Sequence, residues 1–319
     1  MSRVFVHGQG AVSPAGWGVA SLQAALEEAQ PLPIQPLTRP GWDQPLSTRP
    51  VPAPAVKPSF LAHARLRRAS PMAHYAVAAA LEAIGADSAP ISEGTLRLGI
   101  VSCTMNGGIS YSRRFYQEAM QDPATASPLL FPETVFNAPA SHLCAYLGTS
   151  AVNYTLVGDG GTFLQGLAVA AQWLDDQVAN ACVVIGAEEI DWTASDALRL
   201  FDRRAVHACG AGALYLKDAP AQVELTAVTD SFPVIHGLSR AEAAHRMRAQ
   251  LPDAGPDEFV CLNPREILGE GFAASAAWQC AAACDTLRRC PCRAATVPVT
   301  GQSQQAIGAR FVKTTFSQD

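Results

Sequence analysis

Short apolar runs and longer apolar stretches alternate along this chain, separated by turns rich in glycine and proline. Residues 3–7 predict a strand ending in the turn Gly8-Gln9-Gly10, and residues 20–29 predict a short helix. The run from His74 to Ala86 has the apolar spacing and alanine content of a buried helix, and residues 97–103 read as a buried strand leading into a TMNGG loop. Phe131–Leu147 combines a loop and a helix. A strand at Asn153–Val157, a turn at Gly158-Asp159-Gly160-Gly161, a helix at Thr162–Leu174 and a strand at Ala181–Ala187 then follow. Further strands are expected at Ala211–Leu216, Val223–Asp230 and Glu258–Leu262, with a helix at Arg240–Ala249 between the last two. A helix at Phe272–Leu287 and a strand pair near Ala294–Val299 and Ala309–Lys313 close the pattern.

Strand, tight turn, apolar helix and apolar strand make a βαβ unit with a parallel sheet, so the fold class is α/β. The helices at 162–174 and 272–287 carry almost no charge. A helix apolar all round must be buried on all sides, which implies a layered architecture with helices in the middle. Two such helices about one hundred residues apart suggest two similar halves. Proline removes backbone donors, so the Pro-rich segment 31–58 is expected to be a long ordered loop or a mobile flap.

The chain has 319 residues, of which 49% are hydrophobic and only 16% charged, enough for a large core and a subunit interface. The net charge of -5 argues against a nucleic-acid surface, which needs clustered Lys and Arg. The N-terminus has no signal-peptide pattern, and no apolar run reaches the roughly 18 residues of a membrane helix, so a cytoplasmic, membrane-free location is expected. Nine cysteines sit mostly in apolar runs, as core thiols do. Cys280, Cys284, Cys290 and Cys292 lack paired CxxC units and a nearby His, so no metal site is expected. Gly8 and Gly10 lack the third glycine of a dinucleotide fingerprint, since position 13 is Ser, and no cofactor is expected.

Five segments in order carry a resemblance: VFVHGQGAVSPAGWG at 4–18, FPETVFNAPASHLCAYLGTSAVNYTLV at 131–157, VVIGAEE at 183–189, LFDRRAVHACGAGALYLK at 200–217 and REILGEGFAASAAW at 265–278. Together they resemble the β-ketoacyl-acyl-carrier-protein synthase family. The resemblance implies a thiolase-like α-β-α-β-α fold with two pseudo-repeated halves, 1–218 and a shortened 219–319. It also implies chemistry in which a Cys thiolate takes the acyl chain and two His stabilise an enolate.

The chain departs from that chemistry at every position. Matched on Leu164, the nucleophile falls on Gly160, which has no side chain to acylate. Asp159 beside it would oppose a thiolate. The two His positions fall on Asn263 and Glu270, and the Lys falls on Arg265, with about thirty family residues absent between the His positions. The glycine-rich closing motif becomes Gly301-Gln302-Ser303-Gln304-Gln305-Ala306. A family member without Cys, His and His resembles a chain length factor, the partner of an active ketosynthase in a heterodimer that also meets acyl carrier protein, with a polyene or other polyketide as product. In such pairs the loop before the Asn reaches across the interface. The candidate interface and tunnel residues are therefore Thr134, Val135, Phe136 and Asn137, with Asp159 and Phe163 near the helix start. Core packing is the competing reading for Val135 and Phe136. Two other functions stay open: an enzyme with a relocated Cys nucleophile, such as Cys209 beside His207, and a homodimeric scaffold.

Overall fold

The computed structural model describes residues 3–233, 238–252, 255–301 and 305–314. Strand β1 (Val4–Ser13) leads through β2 (Gly16–Trp17) into helix α1 (Val19–Glu28), and the strap that follows contains β3 (Gln35–Leu37) and β4 (Leu46–Arg49). Helix α2 (Pro71–Ile84) and the short α3 (Ser88–Ser92) precede β5 (Leu98–Thr104). Helices α4 (Ile109–Gln121), α5 (Phe131–Thr134) and α6 (Ala138–Leu147) lead to β6 (Val152–Val157), α7 (Thr162–Asp175) and β7 (Ala181–Glu188). Then come α8 (Trp192–Phe201), β8 (His207–Ala208), β9 (Gly210–Lys217), β10 (Val223–Val228) and β11 (Phe232–Pro233). The last elements are α9 (Arg240–Ala249), β12 (Glu258–Val260), α10 (Arg265–Leu268), α11 (Ala273–Arg289), β13 (Ala294–Thr300) and β14 (Gln305–Lys313).

The strand order is β12-β13-β14-β10-β1-β9-β7-β5-β6. It divides into two similar sheets at the antiparallel contact of β1 with β10, where Val4 faces Leu225 and Phe5 faces Glu224. In the first sheet β6, β5 and β7 run parallel, and β9 is antiparallel to both β7 and β1. Read by chain position, that order is third, second, fourth, fifth, first. In the second sheet β12 and β13 are parallel, and β14 is antiparallel to β13 and β10. This repeats the second, fourth, fifth and first strands of the pattern, and no described strand stands beyond β12 as β6 stands beyond β5. The shortened C-terminal half is thus short by its outer strand.

Five layers follow from the cores. Helices α2 and α6 cover the outer face of the first sheet with Met72, Ala76, Ala80 and Leu143 against Ile100, Val183 and Ile185. Helices α7 and α11 lie between the sheets, where Phe163, Leu167, Ala277 and Trp278 meet Val184 and Leu214 on one side and Val297, Ile307 and Phe311 on the other. Helix α9 packs Ala243 and Met247 on the outside of the second sheet. The two uncharged helices are buried because both of their faces meet a sheet. Helix α2 starts where Ser70 caps it, its hydroxyl accepting from the Ala73 N–H at 3.3 Å, with Pro71 at the first position.

The opening glycines are not a turn. β1 runs straight through them with a register shift between Val6 and Gly8. A Cβ at Gly8 would collide with the Ala83 carbonyl, and one at Gly10 with the Ala79 carbonyl. These glycines let the α2 backbone lie directly on the strand. Gly186 and Gly212 do the same for α11, since a Cβ there would strike its Ala273 and Ala277.

Segment 31–58 is a strap, and the mobile-flap expectation gives way to pairing. β3 and β4 form an antiparallel hairpin, and β4 pairs in parallel with β8, Thr48 opposite His207. The Arg49 guanidinium donates to the Leu32 carbonyl at 2.8 Å and to those of Arg265 and Glu266 at 3.4 and 3.2 Å. The pattern does not predict the longer helices α4 and α8 or the short α3 and α10. α4 has no buried residue, so its stripe carries no core signal.

Candidate functional site

The turn that would present a nucleophile is intact in backbone. The Gly158 N–H donates to the Thr104 carbonyl at 3.0 Å, and the Thr162 N–H to that of Asp159 at 2.9 Å. Gly160 is buried at the start of α7. A Cβ built there would stand 3.2 Å from the Phe272 carbonyl oxygen and 3.5 Å from Val299. The fold therefore brings position 160 against the residue two past Glu270.

Asp159 is fully buried and faces inward. One carboxylate oxygen accepts from the Gly161 N–H at 3.3 Å and from Gln305 Nε2 at 3.2 Å. The same carboxylate lies against the Cα of Gly301, where any side chain would displace it. It thus ties the α7 start to the remains of the glycine-rich closing motif. Residues 302–304 of that motif lie outside the described residues. Phe163 is also fully buried, in the core between the sheets. Asp159 and Phe163 both sit inside the subunit.

The remaining positions spread apart. Arg265 is half exposed, 3.9 Å from Asp202 and 3.7 Å from Glu266. Glu270 is buried, and its Oε1 accepts the Phe272 N–H at 2.8 Å. Both line a cavity of about 390 Å3 with Arg49, Asp202, Arg204 and Glu266. Asn263 is half-buried, and its side-chain oxygen has no hydrogen-bond partner among the described residues. A carboxylate at position 270 and an outward Arg265 do not supply the neutral imidazole donors that enolate stabilisation needs.

His207 and Cys209 do not form a nucleophilic pair. β8 ends at Ala208, so the two side chains do not share a strand face. Ser195 Oγ donates to the Asp191 carbonyl at 2.8 Å and therefore accepts the His207 Nδ1–H at 2.7 Å. Burial pushes the His207 pKa down to about 4, leaving the ring neutral. Cys209 Sγ accepts the Val51 N–H at 3.4 Å, and burial pushes its thiol up to about 11. Cys261 is likewise raised to about 12 by burial, and Cys103 still higher. These are core thiols, mostly protonated at neutral pH and weak nucleophiles.

Pattern reading missed the polar anchors around this centre. Glu188, in the VVIGAEE segment, is fully buried and accepts the Met105 N–H, the Asn106 N–H at 3.2 Å and Asn106 Nδ2 at 3.3 Å. Burial raises its pKa to about 8 despite those bonds. Glu189 accepts the Ser110 N–H and hydroxyl, both at 2.7 Å. The two carboxylates tie the TMNGG loop to the end of β7. The doubled Glu was their visible signal, but its partners lie about eighty residues away.

The loop residues stand on a different surface. Val135 and Phe136 are 38% and 43% exposed, and Asn137 is exposed at the start of α6. Thr134 is half-buried and closes α5. Val135 and Phe136 are thus partly packed and partly open to solvent.

No family profile and no curated protein sequence matches the chain. Solved structures do. A ketosynthase/chain length factor from the ishigamide system superposes with a TM-score of 0.81 at 18% identity, over 98% of this chain and 100% of that one. A type II polyketide acyl-carrier protein in complex with its ketosynthase bound to the hexaketide gives 0.79 at 16%, over 98% and 99%. A β-ketoacyl synthase from Burkholderia phymatum STM815 gives 0.79 at 14%, over 99% and 100%. These likenesses show the fold: the chain has the thiolase-like ketosynthase architecture that its sequence resembles. Among the described residues no helix is long and apolar enough to cross a membrane.

Proposed function

We propose that this chain is a non-catalytic, chain-length-factor-like subunit that pairs with an active β-ketoacyl synthase in the cytoplasm during polyketide, polyene or fatty-acid-type elongation. The observation that carries it is the relic centre. A ketosynthase fold is retained around a position 160 that is glycine, with Asp159 buried beside it and Glu270 where an imidazole would stand. Such a centre can neither hold an acyl thioester nor promote decarboxylation. Aryl polyenes are among the product classes this reading covers, and an acyl carrier protein is the expected transient partner. The halves divide at residues 218 and 219 in this reading.

The exposed faces support a partner. Among the described residues β6 is the outer strand of its sheet, pairing with β5 only, and it presents Val152, Tyr154 and Val157. An apolar unpaired edge is a template for another chain. Val135 and Phe136 are also exposed and apolar. A solved ketosynthase in complex with its chain length factor, from Xenorhabdus doucetiae, has this fold at a TM-score of 0.75 and 12% identity.

The test is co-expression with a ketosynthase that retains its Cys and two His. A one-to-one complex that elongates acyl chains is expected. Cys→Ala in the ketosynthase should abolish elongation, and Cys209→Ser in this chain should leave it unchanged. Acyl transfer by this chain alone would overturn the reading. So would a stable homodimer with no affinity for any ketosynthase, the scaffold outcome.

A further inference from the structure

The segment Thr134–Asn137 is short, exposed and without a core of its own, yet its path is held at its base. Glu133, directly before it, is buried at 5% exposure. Its Oε1 meets His142 Nε2 at 2.7 Å, and its Oε2 accepts the Ser70 N–H at 2.8 Å, at the capped start of α2. His142 is buried as well, at 6%, and belongs to α6. The Glu133 backbone lies against Gly108, where a Cβ would strike its carbonyl. The Phe136 ring lies over Gly107, whose Cβ would stand 2.6 Å from the ring. Gly107 has φ +59, a conformation side chains other than glycine rarely adopt. Burial pushes the Glu133 carboxyl up, but the hydrogen bonds from His142 and Ser70 bring it net below the usual value, so it stays ionised.

We infer that the Glu133–His142 pair is a clamp that positions Val135 and Phe136, and so is a specificity-determining element that acts through them. The inference rests on the proposed chain-length role for what those side chains do, but not for the clamp itself. A buried pair of this kind fixes geometry more than it adds net stability. It anchors the segment to α2 and α6 at the end where Gly108 also seats the Glu133 carbonyl, while Gly107 lets Phe136 sit down on the TMNGG loop at the other. The Val135 and Phe136 side chains are thereby presented outward at a set height. A loosened segment would leave them mobile, and an apolar wall that moves no longer defines a single product length.

Amide hydrogen exchange on the full chain reads the clamp directly. His142→Leu should speed exchange about tenfold at the hydrogen-bonded amides of Glu133 and Ala138, which bracket the segment, and Glu133→Ala should do the same at Ala138, with β5 and β7 unchanged. His142→Gln keeps an N–H donor at similar reach and should stay within about twofold of the parent. In the reconstituted pair, His142→Leu should broaden the product-length distribution and His142→Gln should not. Unchanged exchange at Glu133 and Ala138 in His142→Leu, or equal loosening in His142→Gln, overturns the clamp. Exchange in the isolated chain is independent of the partner, so loosened amides with an unaltered product would strike at the chain-length reading and leave the clamp standing.

Discussion

Glu188 and His207 are both fully buried and titrate in opposite senses. Glu188 has its pKa raised to about 8, so its share of stability is complete below the ordinary carboxylate range and is lost as pH rises toward 8. His207 is lowered to about 4, so its share is complete above about 6.5 and is lost as pH falls toward 4. The swings are on the order of 5 kcal/mol for Glu188 and 3 kcal/mol for His207. Denaturant melts across pH should therefore show Glu188→Gln flattening the decline toward pH 8, and His207→Gln flattening the acid limb. A steric prediction stands beside these. Gly10→Ala should cost about 1–3 kcal/mol or more in the same melts, because the Ala79 carbonyl occupies the space of the new methyl. The residues Gly160, Asn263, Arg265 and Glu270 were legible because each lies between flanks that resemble a known motif. The Ser195–His207 bond was not, because strap pairing on β8, which no local pattern reveals, helps to set which way His207 turns.

The main elements were legible wherever periodicity reflects burial. α2, α7, α11 and the strands β5, β7 and β9 match their expected spans to within a few residues. α4 and the strap hairpin were not, since one buries nothing and the other is held by pairing with distant strands. β6 has its outer edge open, and this makes its own prediction. Tyr154→Lys should weaken ketosynthase binding at least about tenfold, because a Lys on an open edge discourages strand pairing. The melting temperature of the isolated chain should barely move, since Tyr154 is 54% exposed. Phe136→Ala in the reconstituted pair should lengthen the product, read by mass spectrometry, if that ring bounds the acyl chain. An unchanged distribution would remove Phe136 from the chain-length role.

Two stacked sheets with α7 and α11 between them bury most of what the chain has to bury, and the open face beside β6 and Val135 remains. A chain exposing that face should give a lower soluble yield alone than with its ketosynthase. Parallel expression trials measure this. Thiol titration gives a second check on the whole fold. Cys103, Cys182, Cys209, Cys280 and Cys284 are buried and should stay silent in the native chain, then react in denaturant. By itself the sequence determined the layered α/β class, the two buried helices and which residues stand at 160, 263, 265 and 270, because those features are written in local periodicity and in residue identity within short motifs. The tertiary structure decided that no described strand stands beyond β12, that the Asp159 carboxylate lies against Gly301, and that Val135 and Phe136 are part-exposed. Each of those depends on which distant segments come together, and contacts between residues far apart in the chain leave no period to read.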